Sequence, residues 1–209
     1  MAGVQKPRPL SFGNLLLVPV LALVAEGSDL SMPPQSTHPK HFLKEIVMTE
    51  KEMFINTWER EFQTTLKVLK ALPADKADLK PAEKSKSAKD LAWMFVAEEG
   101  VLIDGVCKGK VDFASMPKPP ETLQEIVSAY ENSHKNNVDK VKALTETELN
   151  SSIAWMVAPK QMGQVRRADV LWMAVMDSVH HRGQFSIYLR IAGAKVPSIY
   201  GPTADEPWM

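Results

Sequence analysis

A long helical pattern near the C-terminus restricts the folds that this chain can adopt. Residues 167–192 contain no proline, and their apolar side chains recur at the three- and four-residue spacing of a helix that packs on one side. Gly193 and Pro197 follow, and both residue types end helices. We therefore predict a helix of about seven turns, which has to bury its apolar side against other elements.

Three further segments show the same periodicity. Residues 42–72, 87–106 and 120–144 are amphipathic at helical spacing, and proline-containing connections separate them. Residues 153–157 have the composition of a short extended piece, but no partner strand is evident. The sequence thus predicts an all-α protein, a four-helix bundle with long connections and a non-helical C-terminal tail.

Four polar side chains share one face of the predicted last helix. Asp177, His181, Gln184 and Tyr188 follow one another at steps of four, three and four residues. A carboxylate and an imidazole one turn apart are two metal ligands held on one rigid element. Apolar neighbours predict that this face looks inward, where polar groups need partners because unpaired burial is costly.

The first 27 residues have the features of an export signal. Lys6 and Arg8 precede the uncharged apolar run 15–25, and small residues after the run fit cleavage before Ser28. The run is shorter than the roughly 20 apolar residues of a membrane-spanning helix. An apolar segment belonging to the fold of a cytoplasmic protein is the alternative.

The domain organisation follows from this interpretation. We predict a signal peptide at residues 1–27, a Pro- and Ser-rich linker at 28–41 and the bundle at 42–209. The mature protein would be exported, either periplasmic or secreted, with no stable membrane anchor after processing.

Charge and cysteine content exclude several classes of protein. The chain has 25 Lys and Arg residues and 25 Asp and Glu residues, so no net positive field recruits nucleic acid. Cys107 is the single cysteine, so the chain has no internal disulfide, and we interpret its thiol as a packing group.

Two segments resemble a known family. Residues 180–202, HHRGQFSIYLRIAGAKVPSIYGP, are similar to the last helix and tail of the DinB-like (DinB/YfiT-type) superfamily of four-helix-bundle metalloenzymes, and residues 87–99 resemble its second helix. The resemblance covers roughly residues 42–203. It implies a divalent metal held by three histidines, one on the second helix and two four residues apart on the last. It also implies thiol-dependent transfer or isomerisation among the activities, and dimerisation through the bundle.

The implied ligand set carries over only in part. His181 matches the last family histidine, Asp177 stands at the preceding ligand position, and the second-helix histidine falls on Met94, which is a poor ligand for a hard divalent ion. Glu98, one turn further along the same face, is the candidate replacement. This degenerate site of one histidine and two carboxylates would favour iron or manganese, with zinc or nickel as alternatives.

Two functions follow from these residues. The first is a divalent-metal-dependent enzyme that acts on a small molecule by hydrolase- or transferase-like chemistry, with Gln184, Tyr188 and Met94 around the substrate. The alternative is a metal-free hydrogen-bonded cluster, in which His181 bridges two carboxylates. The protein would then be a non-catalytic exported bundle that binds a ligand or forms a homodimer.

One further spacing has a precedent in metal sites. Glu131 and His134 form a Glu-x-x-His pair of the type found in di-iron bundles, which need two such pairs. Since no second pair occurs in the sequence, we interpret this one as chance spacing on a polar helix face. Arg182 is interpreted as an ion-pairing or surface group.

Overall fold

Helices and one hairpin make up the part of the chain that the computed structural model describes, residues 48–209. The long helices are α1 (Glu50–Lys70), α2 (Ala88–Lys108), α3 (Leu123–Ala143) and α5 (Arg167–Ile191). Between α3 and α5 lie the short helix α4 (Glu146–Asn150) and the strands β1 (Ser152–Ala158) and β2 (Gln161–Arg166). The predicted all-α bundle is confirmed. The predicted signal peptide, the linker and the first residues of the first predicted helix lie outside the described residues.

Side-chain caps determine where the long helices begin. Thr49 and Thr122 each form a capping box, in which the threonine hydroxyl and a glutamate three residues later satisfy each other's backbone N–H groups. Ser87 caps α2 through its hydroxyl, which accepts from the backbone N–H of Asp90. The third long helix was predicted to start at Pro120, and it starts after Thr122 because that residue supplies the cap.

The predicted absence of a partner strand was wrong. β1 pairs antiparallel with β2, from Ser152 opposite Arg166 to Ala158 opposite Gln161. Lys160, in the connecting turn, has a φ of 61°. The sequence of β2 gave little sign of a strand because none of its residues is fully buried, so its apolar pattern is weak.

The four long helices bury two apolar clusters at different heights of the bundle. α1 and α2 each pack against both α3 and α5. Phe62, Phe95, Tyr130 and Phe185 lie in one cluster, and the other contains Trp58, Leu102, Val141 and Leu171. No helix within residues 48–209 combines the length and the apolar character needed to cross a membrane.

A set of polar side chains separates the two clusters on all four long helices, and we call it the polar layer. On every helix these residues fall in sequence between the members of one apolar cluster and the members of the other. The polar layer consists of Glu61, Glu98, Glu99, His134, Asn137, Asp177, His181 and Arg182. Because buried polar groups need partners, the residues of this layer form polar networks, some of which hold the helices together and one of which is the candidate functional site.

The C-terminal tail is non-helical, as predicted, and polar contacts hold it to the bundle. The buried Arg182 donates to Glu61 Oε2 at 2.7 Å, and the hydroxyl of Tyr200 donates to the same oxygen at 2.7 Å. Further along the tail, Lys67 pairs with Glu206 at 2.8 Å. Arg182 is therefore an ion-pairing residue of the interior, where it connects α5, α1 and the tail.

Candidate metal centre

Three metal-ligand side chains of the polar layer converge from two helices. Glu98 comes from α2, whereas Asp177 and His181 lie one turn apart on α5. One potential ligand atom from each lies within 4.8 Å of the others, and His181 Nε2 lies 3.3 Å from Asp177 Oδ2. The structure thus brings together the three residues that the sequence singled out as candidate ligands.

Gln184 fixes the orientation of the His181 ring. Its carbonyl Oε1 lies 3.0 Å from His181 Nδ1, and its amide Nε2 lies 2.9 Å from Nε2 of His180. When the Gln184 amide donates to His180, its Oε1 atom is placed to accept from the Nδ1–H of His181. The Nε2 atom of His181 faces the carboxylates of Asp177 and Glu98. Two carboxylates and an imidazole nitrogen that converge in this way need a proton or a cation between them.

The pKa of Glu98 is raised because the group is buried and its surroundings contain too little positive charge to stabilise the ionised carboxylate. Burial is the largest effect that raises the pKa of Glu98 to about 7, and the hydrogen bond to Asp177 and its negative charge raise it further. His181 and Lys86 oppose the shift without cancelling it. Two carboxyl groups that share a site cannot both ionise cheaply unless a cation accompanies them.

Met94 lies one turn before Glu98 on α2, and it lines the same internal cavity as Glu98, Asp177 and His181. The cavity has a volume of about 30 Å³, which is room for an ion or for one or two water molecules. The thioether side chain of Met94 therefore forms part of the cavity wall next to the candidate ligands. This is the position at which the family resemblance implies a histidine.

The other face residues do not all look inward. The side chain of Asp177 is 48% exposed, and Gln184 is exposed, so the predicted inward face was wrong for these two residues. Tyr188 is buried, and its hydroxyl donates to the carbonyl of Lys86 at 2.9 Å. Gln184 and Tyr188 line a surface groove that meets the three-residue cluster only at His181. Their predicted substrate contacts stay predictions.

A second groove gives solvent access to the cluster, and it explains the exposure of Asp177. This groove has a volume of about 500 Å³, and both Glu98 and Asp177 line it. Its outer walls are Phe113, from a 3-10 turn after α2, and Trp155, from β1. The hairpin that the sequence did not predict thus forms one side of the entrance.

A buried histidine on α3 belongs to a network that the sequence did not indicate. His134 is 3% exposed and stacks on the ring of Phe62 at a centroid distance of 3.7 Å. Its Nδ1 atom lies 3.2 Å from Glu99 Oε1, and Glu99 also accepts from Trp58 and Asn137. The interpretation of His134 as part of a polar surface was therefore wrong. Tyr130 and Val138 are buried four residues before and after it, which is the signal that places position 134 inside.

The two residues of the Glu-x-x-His pair do not act together. Glu131 lies on the surface and pairs with Lys70 at 2.7 Å, while His134 points into the bundle. Glu99, the buried partner of His134, lines the same cavity as Glu98. The network therefore holds in place the part of the cavity wall that Glu99 forms, on the side of the candidate metal centre that faces α3.

Comparison with known proteins gives one family. The model of the DinB family matches residues 48–208. The uncharacterised protein YrdA of Bacillus subtilis (strain 168) is 26% identical over 154 residues, which cover 73% of this chain and 89% of that protein.

Solved structures of DinB-like proteins have the same fold. YjoA of Bacillus subtilis superposes with a TM-score of 0.59 at 19% identity, covering 71% of this chain and 97% of that one. A DinB-like protein of Bacillus cereus ATCC 10987 gives a TM-score of 0.58 at 21% identity, with coverages of 70% and 95%. At these identities the likeness shows the fold alone.

Proposed function

The chain belongs to the DinB family, and from this premise we propose that it is a divalent-metal-dependent enzyme that acts on a small molecule. The observation that most supports the proposal is the convergence of His181 Nε2 with the carboxylates of Asp177 and Glu98, while Gln184 holds the opposite nitrogen of the ring. One bound cation would satisfy all three acceptors at once.

The donor set fits a transition-metal ion. Imidazole nitrogen suits iron, zinc and nickel, and carboxylate oxygen suits harder ions such as manganese. His181 Nε2 and the carboxylates of Asp177 and Glu98 would hold the ion, with iron or manganese favoured by the two carboxylates. The raised pKa of Glu98 supports this fit, because a divalent ion would compensate the burial and the negative charge of Asp177 that disfavour the ionised carboxylate.

The surrounding residues orient the candidate ligands and form the wall of the cavity between them. A bound divalent ion would supply Lewis-acid polarisation of a substrate atom. Gln184 holds His181 in the tautomer that presents Nε2. Met94 narrows the cavity beside Glu98, and Glu99 holds a fixed position there because Trp58 and Asn137 donate to it.

Hydrolysis or isomerisation is the proposed type of reaction. The predicted export signal at residues 1–27 argues against transfer to low-molecular-weight thiols, which are cytosolic compounds. We propose that the mature protein is exported. N-terminal sequencing of the native protein should begin near Ser28, and a sequence that begins at Met1 or Ala2 would reject the cleaved export signal.

A second candidate function rests on Met94. This residue replaces the histidine that the family resemblance implies, and a proton shared between Glu98 and Asp177 would join the two carboxyl groups as a cation would. The second candidate is therefore a bundle that binds a ligand or dimerises without catalysis. A turnover screen separates the two functions. Metal-reconstituted protein should hydrolyse members of a panel of uncharged esters and amides, and chelator or His181→Ala should abolish turnover. Ligand binding that is unaffected by chelator, with no turnover, would favour the non-catalytic function.

A further inference from the structure

We infer that the groove between α5 and β1 binds the apolar body of the substrate and brings an uncharged polar head group to Glu98 and Asp177 of the candidate metal centre. This inference rests on the proposed function and specifies its substrate class. The small molecule would have an aromatic or alkyl body that ends in a group such as a hydroxyl, ester or amide. We call this groove the apolar groove.

The walls of the apolar groove are large apolar side chains that remain exposed. Met176 is 66% exposed and Phe113 is 51% exposed, and the rings of Phe113 and Trp155 lie 6.0 Å apart. Leu102, Met173 and Ala174 line the groove toward the bundle, and among the described lining residues His180 is the one besides the two carboxylates that has a polar side chain with a titratable group. Apolar side chains gathered in a concave site of about 500 Å³ are typical of ligand pockets. The unbranched methionines can adapt to different apolar shapes.

The polar end of the apolar groove is the candidate metal centre. Glu98 and Asp177 line both this groove and the internal cavity, so a molecule lying along the apolar walls reaches these carboxylates. Among the described residues that line the groove, none is Lys or Arg. A divalent ion held by Glu98 and Asp177 would balance the two negative charges of these carboxylates. A charged head group of either sign would then enter a site that offers it no partner of opposite charge, whereas an uncharged head group needs none.

The groove on the other side of His181 is chemically different. It is lined by Lys84 and Lys86 together with Gln184 and Ile187. His181 is the only one of the three candidate metal ligands that borders it. Its lysines suit a polar or anionic group better than an apolar body. Charge and continuity with both carboxylates therefore select the apolar groove for the body of the substrate.

The apolar groove predicts how affinity depends on chain length. The probes are the 1-alkanols from butanol to octanol, titrated calorimetrically into the metal-reconstituted and the metal-free protein. Affinity should rise about fourfold for each added methylene, since each buried CH₂ contributes to binding by the hydrophobic effect. The rise should occur in both forms, because the apolar walls do not include the metal. Octanoate and octylamine, which carry the same body, should bind the metal-reconstituted protein at least about tenfold more weakly than octanol.

Lysine substitutions at exposed positions of α5 locate the bound chain. Met176→Lys places a charge in the apolar groove and should weaken octanol binding at least about tenfold, with little effect on butanol. Ile187→Lys alters the other groove, and Ile191→Lys is a matched control because Ile191 is also an exposed apolar residue of α5, at 52%. Neither should change the length dependence. Unfolding midpoints confirm that all three variants fold.

Three results would overturn the inference. Affinity could be independent of chain length, the loss could follow Ile187→Lys instead of Met176→Lys, or octanoate or octylamine could bind as well as octanol. Failure of the metal proposal gives a different result, since chain-length dependence would persist in a protein that takes up no metal. The reverse outcome, metal uptake without length dependence, would refute the apolar groove alone.

Discussion

The Nε2 atom of His181 lies 3.3 Å from Oδ2 of Asp177, one turn earlier on α5. The opposite nitrogen of the ring is engaged by Gln184 at 3.0 Å, so the Nε2 atom is the one available to a ligand. Glu98 completes the group from α2. A bundle that buries apolar clusters on both sides of this group holds three acceptors where one cation would satisfy them.

The stability of the metal-free protein should fall as the pH rises from 5 to 8. The folded protein keeps the proton on Glu98 until its pKa of about 7, whereas the unfolded chain releases it near the ordinary value of 4.5. The folded state thus binds more protons in this window, and the stabilisation present below pH 4.5 is lost as the pH passes 7. Allowing for solvent screening, the loss from Glu98 should be about 1–2 kcal/mol. Urea denaturation measures it, and Glu98→Gln should remove this component of the pH dependence. An unchanged profile in the variant would refute the raised pKa.

Met94→His should strengthen metal binding. The residue lines the cavity one turn from Glu98, so an imidazole there adds a ligand-type side chain next to the existing group. We expect zinc affinity to rise by about tenfold or more in competition with a chromogenic chelator. Met94→Leu is the matched control and should leave affinity near that of the wild type. Equal affinities for the histidine and leucine variants would place the metal elsewhere or exclude it.

His134→Ala should destabilise the bundle by about 3 kcal/mol. The substitution removes the stacking on Phe62 and leaves the buried Glu99 with fewer partners. Chemical denaturation measures the change. Glu131→Ala, which breaks an exposed pair with Lys70, should cost less than about 1 kcal/mol. Similar costs for the two variants would mean that His134 is not the buried network residue described above.

Arg182→Met should cost about 3–5 kcal/mol, because it leaves the Glu61 carboxylate buried without a cationic partner. Replacing Glu61 by Leu in the same protein should recover most of that loss, since both charges are then absent. Tyr200→Phe removes one hydrogen bond to Glu61 and should cost about 1 kcal/mol. Denaturation of the wild type, both single variants Arg182→Met and Glu61→Leu, and the double variant tests the coupling. Additive losses for Arg182 and Glu61 would contradict a direct ion pair.

The long helices and the pair of Asp177 and His181 could be predicted from sequence because both depend on local spacing, and the two side chains share a face through their four-residue step. Glu98 came from the family resemblance, which placed the second-helix ligand position on Met94, one turn away. The exposure of Asp177 could not be predicted, because it depends on where the loop carrying Phe113 and the hairpin carrying Trp155 fold over α5. Those are contacts between segments distant in sequence.

His134 shows a different limit. Its neighbours Glu131, Ser133 and Lys135 are polar, and this local composition favoured a surface position. Burial came from Phe62 on α1 and Glu99 on α2, which supply a stacking surface and a carboxylate partner. A polar side chain is buried when its partners are already in the interior, and residues on other helices provide those partners.

Elemental analysis of protein purified without chelator or a metal-affinity tag tests the metal centre most directly. We predict about one equivalent of iron, manganese, zinc or nickel per chain for the wild type. His180→Ala should retain the metal, because His180 is the exposed neighbour outside the ligand group, and His181→Ala should lose it. A wild-type protein without transition metal, which takes up none of these four ions in calorimetric titration and whose unfolding is unchanged by chelator, would contradict the metal centre.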